Sequence, residues 1–99
     1  MDHMTALAQL TQNQNPIGTL RAFLGAYDFH KSDKSVGFKF KGSKVASHVK
    51  IELNGGDLYN VKFVKIWGTK LLKEKEYTDM YAEDIKGLFE NHTGLYLSF

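Results

Sequence analysis

The chain has no cysteine, one proline, one arginine and no long apolar run. Without cysteine there is no disulfide and no thiol chemistry, a composition that suits a reducing compartment. No stretch reaches the roughly 20 apolar residues a membrane span needs, and no short apolar leader follows a basic start. The single arginine, Arg21, argues against sequence-specific nucleic-acid readout, because arginine is the usual bidentate reader of guanine. These absences leave a soluble, cytoplasmic protein with no membrane partner as the expectation.

What is present is globular. Of 99 residues, 42% are apolar and 13% aromatic, too apolar for disorder. A chain of this length makes one domain and buries roughly 60–65% of its unfolded surface. His3-Met4 reads as a cloning-site remnant, so residues 1–3 are set aside and 4–99 are taken as a single domain.

Charge is segregated along the chain. Residues 31–75 hold eleven lysines against four acidic residues, a net of +7. Residues 76–99 hold Lys86 against five acidic residues, a net of −4. A basic middle and an acidic end can mark partner surfaces.

Periodicity sets the element order. Leu7 and Leu10 predict a short helix over Thr5 to Gln14. Asn15-Pro16 interrupts it and restarts helix, since Pro suits the first helical position. Ile17, Leu20, Phe23 and Leu24 follow at helical spacing, with Gly25 placed to end the turn. The period then changes to two. Tyr27 and Phe29 alternate in a first strand, Val36, Phe38 and Phe40 in a second, Val49, Ile51 and Leu53 in a third. Asn54-Gly55-Gly56-Asp57 is hairpin chemistry, and Tyr59, Val61 and Phe63 make the fourth strand. The alternation slips at Val64 to Trp67, the mark of a bulge or of burial on both faces. Leu71 to Tyr77 predicts a charged fifth strand at an edge. A final helix, capped by Thr78 or Asp79, presents Tyr81, Ile85, Leu88, Phe89 and His92 on one face and ends at Gly94. The expected fold is α+β: a four- to five-stranded antiparallel meander with an N-terminal helix or helices and a C-terminal helix packed on one face. Phe40, Ile51, Val61 and Phe89 are expected to share the core. The apolar tail Leu95 to Phe99 is expected to fold back within a monomer, with strand exchange into a homodimer as the other outcome.

No catalytic constellation appears, and the chain is read as a non-enzyme. His30, His48 and His92 lack metal-ligand spacing, so no metal or cofactor is expected. Gly55-Gly56 belongs to a hairpin turn, because no phosphate-loop pattern follows. The acidic cluster Asp79, Glu83 and Asp84 suits a helix start. The candidate partner-binding residues are lysines. If the apolar residues face inward, Lys39, Lys41, Lys50 and Lys62 share the opposite face, and Lys44 joins them from a loop. Such a face is a solvated sheet surface, or it needs Glu52 or an anionic partner. The helix–strand order is similar to that of double-stranded-RNA-binding domains. The final helix, however, begins Asp79-Met80-Tyr81-Ala82-Glu83-Asp84, which would repel phosphates, and that reading is rejected.

Several strings resemble a family of small proteins encoded by bacteriophages and prophages. They are Leu24-Gly25-Ala26, Phe38-Lys39-Phe40-Lys41-Gly42, Val49-Lys50-Ile51-Glu52-Leu53-Asn54, Asp57-Leu58-Tyr59-Asn60-Val61-Lys62-Phe63, Lys65-Ile66, Tyr81-Ala82-Glu83-Asp84-Ile85 and Thr93-Gly94-Leu95-Tyr96-Leu97-Ser98. They cover most of residues 24–98, and none is a catalytic motif. The Gly55-Gly56 turn and the divided N-terminal helix depart from the pattern. The resemblance implies a phage protein that acts in the host cytoplasm by binding and modulating a host protein or protein complex. Inhibition of a defence system of the CRISPR type, an anti-CRISPR role, is included. The alternative is a nucleic-acid binder without sequence preference, using the lysine face.

Overall fold

The computed structural model describes residues 16–54, 56 and 58–95. The helix expected over Thr5 to Gln14, and Tyr96 to Phe99 of the tail, lie outside them. Helix α1 spans Pro16–Leu24. Five strands follow: β1 Tyr27–Lys31, β2 Ser35–Lys39, β3 His48–Leu53, β4 Tyr59–Trp67 and β5 Lys70–Met80. A 3-10 turn over Ala82–Asp84 leads into helix α2, Ile85–Thr93. The strands pair antiparallel in sequence order, so the architecture is the expected α+β meander with all five strands present.

Register explains why one face buries itself. Val36 pairs with Ile51 and Phe38 with Val49. Ile51 pairs in turn with Val61, and Val49 with Phe63. Paired residues point the same way, so these apolar side chains form one continuous inner face. Leu20 and Leu24 of α1, one helical turn apart, and Ile85 and Phe89 of α2 close over it in a single buried cluster. Phe89 is the hub, with its ring 5.3 Å from Phe40 and 6.0 Å from Phe63. Phe40, Ile51, Val61 and Phe89 are buried together as expected. Leu95, the first residue of the apolar tail, packs against this cluster.

Two local expectations are corrected. Tyr27 and Phe29 do not share a face. Between the pairs Tyr27–Lys39 and His30–Gly37, β1 advances three residues while β2 advances two. Asp28 absorbs the extra residue with a φ of 56°, a left-handed conformation that Asp tolerates better than most residues. Phe29 therefore turns inward onto Phe38, 5.3 Å between ring centroids, while Tyr27 stays exposed. The second correction concerns the last helix. Thr78 and Asp79 belong to β5, Tyr81 is exposed, and the residue before α2 is Asp84, which makes no side-chain capping bond. Strand pairing outcompetes capping because the β3–β4 turn grips Asp79. Asn54 Nδ2 donates to Asp79 Oδ1 at 2.9 Å, and the Asp79 N–H donates to Asn60 Oδ1 at 3.2 Å. At the other end Gly94 closes α2 with a φ of 75°, its N–H donating to the Glu90 carbonyl at 2.9 Å.

Candidate docking surfaces and an inner-face pocket

The outer face of the sheet is polar. Neighbouring pairs align Gly37, Lys50, Lys62 and Glu76 in one row, and Lys39, His48, Val64 and Glu74 in the next. Lys39, Lys50 and Lys62 thus share this face. Lys41 follows the end of β2 at the rim, with its ammonium 5.4 Å from the centre of the Tyr27 ring. Lys44 is exposed in the loop between β2 and β3.

The shared lysines are matched by carboxylates. Lys39 Nζ lies 2.9 Å from Asp28 and Lys62 Nζ lies 2.7 Å from Glu74. Lys50 is 4.0 Å from Glu52, the acid expected to offset it. The hydrogen bond with Lys39 holds the Asp28 carboxyl below its usual range and raises the Lys39 ammonium. Glu74 raises Lys62 in the same way. Asp28 and Glu74 are far from these lysines in sequence or on a different strand, so composition alone gave no sign of the pairing. His48 is pushed below 6.5 by burial and then by the Lys39 charge, and its Nδ1 is 2.8 Å from Ser47 Oγ.

The sheet edge at β5, which pairs with no further strand among the described residues, is chemically different. Trp67 is 76% exposed, Leu71 53% and Leu72 49%. All three lie at the tip of the β4–β5 hairpin, where Trp67 pairs with Lys70 and Ile66 with Leu71. A register shift between Lys65 and Ile66 places an extra residue, Leu72, on β5 rather than on β4, where the alternation slips. Exposed large apolar side chains clustered at one place are the usual sign of a contact surface. The signal in the sequence was the lone tryptophan beside a Gly-Thr turn, past the residues needed to fill the core.

On the inner face, the sheet continues past the cover of α2. Phe63 pairs with Lys75 and Val61 with Tyr77. There a cavity of about 430 Å³ is lined by Val45, Phe63, Lys73, Glu74, Lys75, Tyr77 and His92. His92, from the last turn of α2, stacks on Phe63 with centroids 4.3 Å apart and an angle of 24°. Tyr77 meets both rings edge-on, and its hydroxyl is 3.3 Å from His92 Nδ1. Burial, and then the Lys75 charge, lower the His92 pKa. Among the described residues, no group of three or more metal-ligating side chains comes together, and no helix is long and apolar enough to cross a membrane.

Comparison with protein families, with curated proteins and with solved structures finds no match to this chain.

Proposed function

We propose that this chain is a phage-encoded, non-catalytic interaction protein that binds and modulates a host protein or protein complex, and that it docks through the β4–β5 hairpin. The observation that carries the reading is the exposure of Trp67, Leu71 and Leu72 at the tip of the β4–β5 hairpin, beside the sheet edge. Tryptophan is enriched among interface residues that dominate binding energy, because it buries a large area on two rotatable bonds. Lys70, paired with Trp67 at the tip, favours an acidic partner. The phage origin rests on the resemblance over residues 24–98, and interference with a defence system of the CRISPR type is one form such binding takes.

Non-specific nucleic-acid binding by the outer face is the second reading, favoured by the shared outer-face position of Lys39, Lys50 and Lys62. Their carboxylate partners count against it, because each phosphate contact would first have to displace an internal ion pair.

The test is affinity capture from a bacterial lysate with and without nuclease, using three proteins: the wild type, a Trp67→Ser/Leu71→Ser variant and a Lys39→Gln/Lys50→Gln/Lys62→Gln variant. The hairpin reading expects a protein that survives nuclease, is retained by the lysine variant and is lost from the hairpin variant. Capture abolished by nuclease and by the lysine changes, but not by the hairpin changes, would establish the second reading instead. Circular dichroism checks that each variant is folded.

A further inference from the structure

We infer that the inner-face cavity between β4, β5 and the end of α2 is a binding site for a small aromatic anion. This site is separate from the hairpin tip, and the inference stands whether or not the hairpin binds a protein.

The shape of the cavity comes from the topology. Helix α2 buries Ile85, Phe89 and Thr93 but leaves the end of the inner face at β5 uncovered. The alternation of β5 places Lys73, Lys75 and Tyr77 on that uncovered side, since Lys75 is the pair of Phe63 and Lys73 the pair of Lys65. Val45, from the loop before β3, lines the cavity together with His92 of α2. The resulting space of about 430 Å³ falls within the ~300–1,000 Å³ range of small-ligand sites, which are mostly apolar with a few placed polar groups.

Its walls suit a planar ring. Phe63 and His92 are stacked, and Tyr77 stands at 82° to Phe63 and 78° to His92. Phe63, 1% exposed, forms the floor, and a flat guest meets the His92 and Tyr77 rings at ordinary aromatic contact distances.

Its charge is positive. Lys75 sits 5.3 Å from the Tyr77 ring centre, and among the described residues no carboxylate lies within 4.0 Å of Lys73 or Lys75. Glu74 also lines the cavity, but its carboxylate is bound to Lys62 at 2.7 Å, so Lys73 and Lys75 leave the lining with an excess of positive charge. Aromatic walls beside two ammonium groups that form no ion pair among the described residues select a ring system that carries a carboxylate, sulfonate or phosphate. The functional groups of His92 and Tyr77 supply orientation, since their mutual 3.3 Å contact fixes both rings.

The experiment uses anilinonaphthalene sulfonate and phenylnaphthylamine, the same ring system without the sulfonate. Each is titrated into the full chain at neutral pH and followed by fluorescence, with amide shift mapping by NMR. The site predicts saturable one-to-one binding of the sulfonate, with shifts centred on Val45, Phe63, Tyr77 and His92. The neutral probe should bind roughly ten-fold or more weaker. Lys73→Gln/Lys75→Gln should weaken the sulfonate by a similar factor and leave the neutral probe unchanged. Equal affinity for the two probes, shifts centred on Trp67, Leu71 and Leu72, or no saturable binding would each overturn the inference. The comparison of the two probes on the wild type decides the matter even if the lysine variant fails to fold. Loss of lysate capture in the Trp67→Ser/Leu71→Ser variant, with probe binding intact, separates this site from the docking surface.

Discussion

Gly37 lies in the middle of a buried strand because the ring of His30, its cross-strand partner, folds over it. A methyl group added there would meet His30 Cε1 at 2.5 Å and the Val49 carbonyl oxygen at 3.0 Å. The ring can swing away, but the carbonyl belongs to the sheet backbone and cannot. Gly37→Ala should therefore destabilise the fold by about 1–3 kcal/mol, the usual cost of overpacking, despite the better strand entropy of alanine. Chemical denaturation measures this directly, and a midpoint equal to the wild type would show that the β2–β3 register can relax. Phe89 is the opposite case, a large side chain whose removal leaves a void. It touches Phe40 and Phe63 and is fully buried. Phe89→Ala should cost about 3–5 kcal/mol, a large share of the roughly 5–15 kcal/mol that holds a small domain together. An unchanged denaturation midpoint would remove α2 from the core.

At the scale of elements, the β3–β4 turn organises more than its own hairpin. Asn54 Oδ1 accepts from the Gly56 N–H at 2.9 Å and from the Leu58 N–H at 3.3 Å, while its Nδ2 donates to Asn60 and Asp79. One side chain thus shapes the turn and ties it to the far end of β5, where Asp79 has a φ of 57°. Asn54→Ala should lower stability by about 1–2 kcal/mol, since each hydrogen bond is worth about 0.5–1.5 kcal/mol net and part of the site is wet. It should also speed hydrogen exchange at Thr78 to Met80 more than at β3. Uniform acceleration across the sheet would mean that the turn and β5 are not coupled in this way. The second strand-level feature is the length of β5. Its eleven residues leave a long edge that pairs with no further strand among the described residues, and its charged residues guard that edge against indiscriminate pairing.

For the whole molecule, acid should be destabilising at mild pH. His48 and His92 are both held below 6.5 in the fold, chiefly by burial. A histidine with a lowered folded pKa takes up its proton more readily in the unfolded chain. Below the unfolded value, unfolding is accompanied by proton uptake, so their stabilising contribution is present above that value and is lost as pH falls from it through the lower folded value. The denaturation midpoint should therefore drop between about pH 7.5 and about pH 5.5, and His48→Gln together with His92→Gln should flatten that slope. A slope unaffected by the double change would place the titration elsewhere. Asp28 acts lower on the pH scale, because Lys39 depresses its carboxyl below 3.8 and the pair is lost only in stronger acid.

Much of the fold was legible residue by residue. Alternation over Val36 to Phe40, Val49 to Leu53 and Tyr59 to Phe63 specifies strands with one apolar face, because a strand can bury only every second side chain. Asn54-Gly55-Gly56-Asp57 and Gly94 mark a turn and a helix end, because few residue types accept the backbone those places require. The shared face of Lys39, Lys50 and Lys62 followed from the same alternation. The one-residue bulge at Asp28 was not legible, because it depends on how β1 must register against β2. The extension of β5 through Asp79 was hidden as well, since it rests on Asn54 and Asn60 from a distant turn. Pairing of Lys39 with Asp28 and of Lys62 with Glu74 is set by cross-strand neighbours, and this pairing is what turns a cationic face into a largely compensated one. The exposed apolar tip and the aromatic cavity are likewise products of coverage. Helix α2 is nine residues long and spans only part of a five-stranded sheet, so three-dimensional packing alone decided that Trp67, Leu71 and Leu72 would stay in water and that Phe63, Tyr77 and His92 would enclose a space.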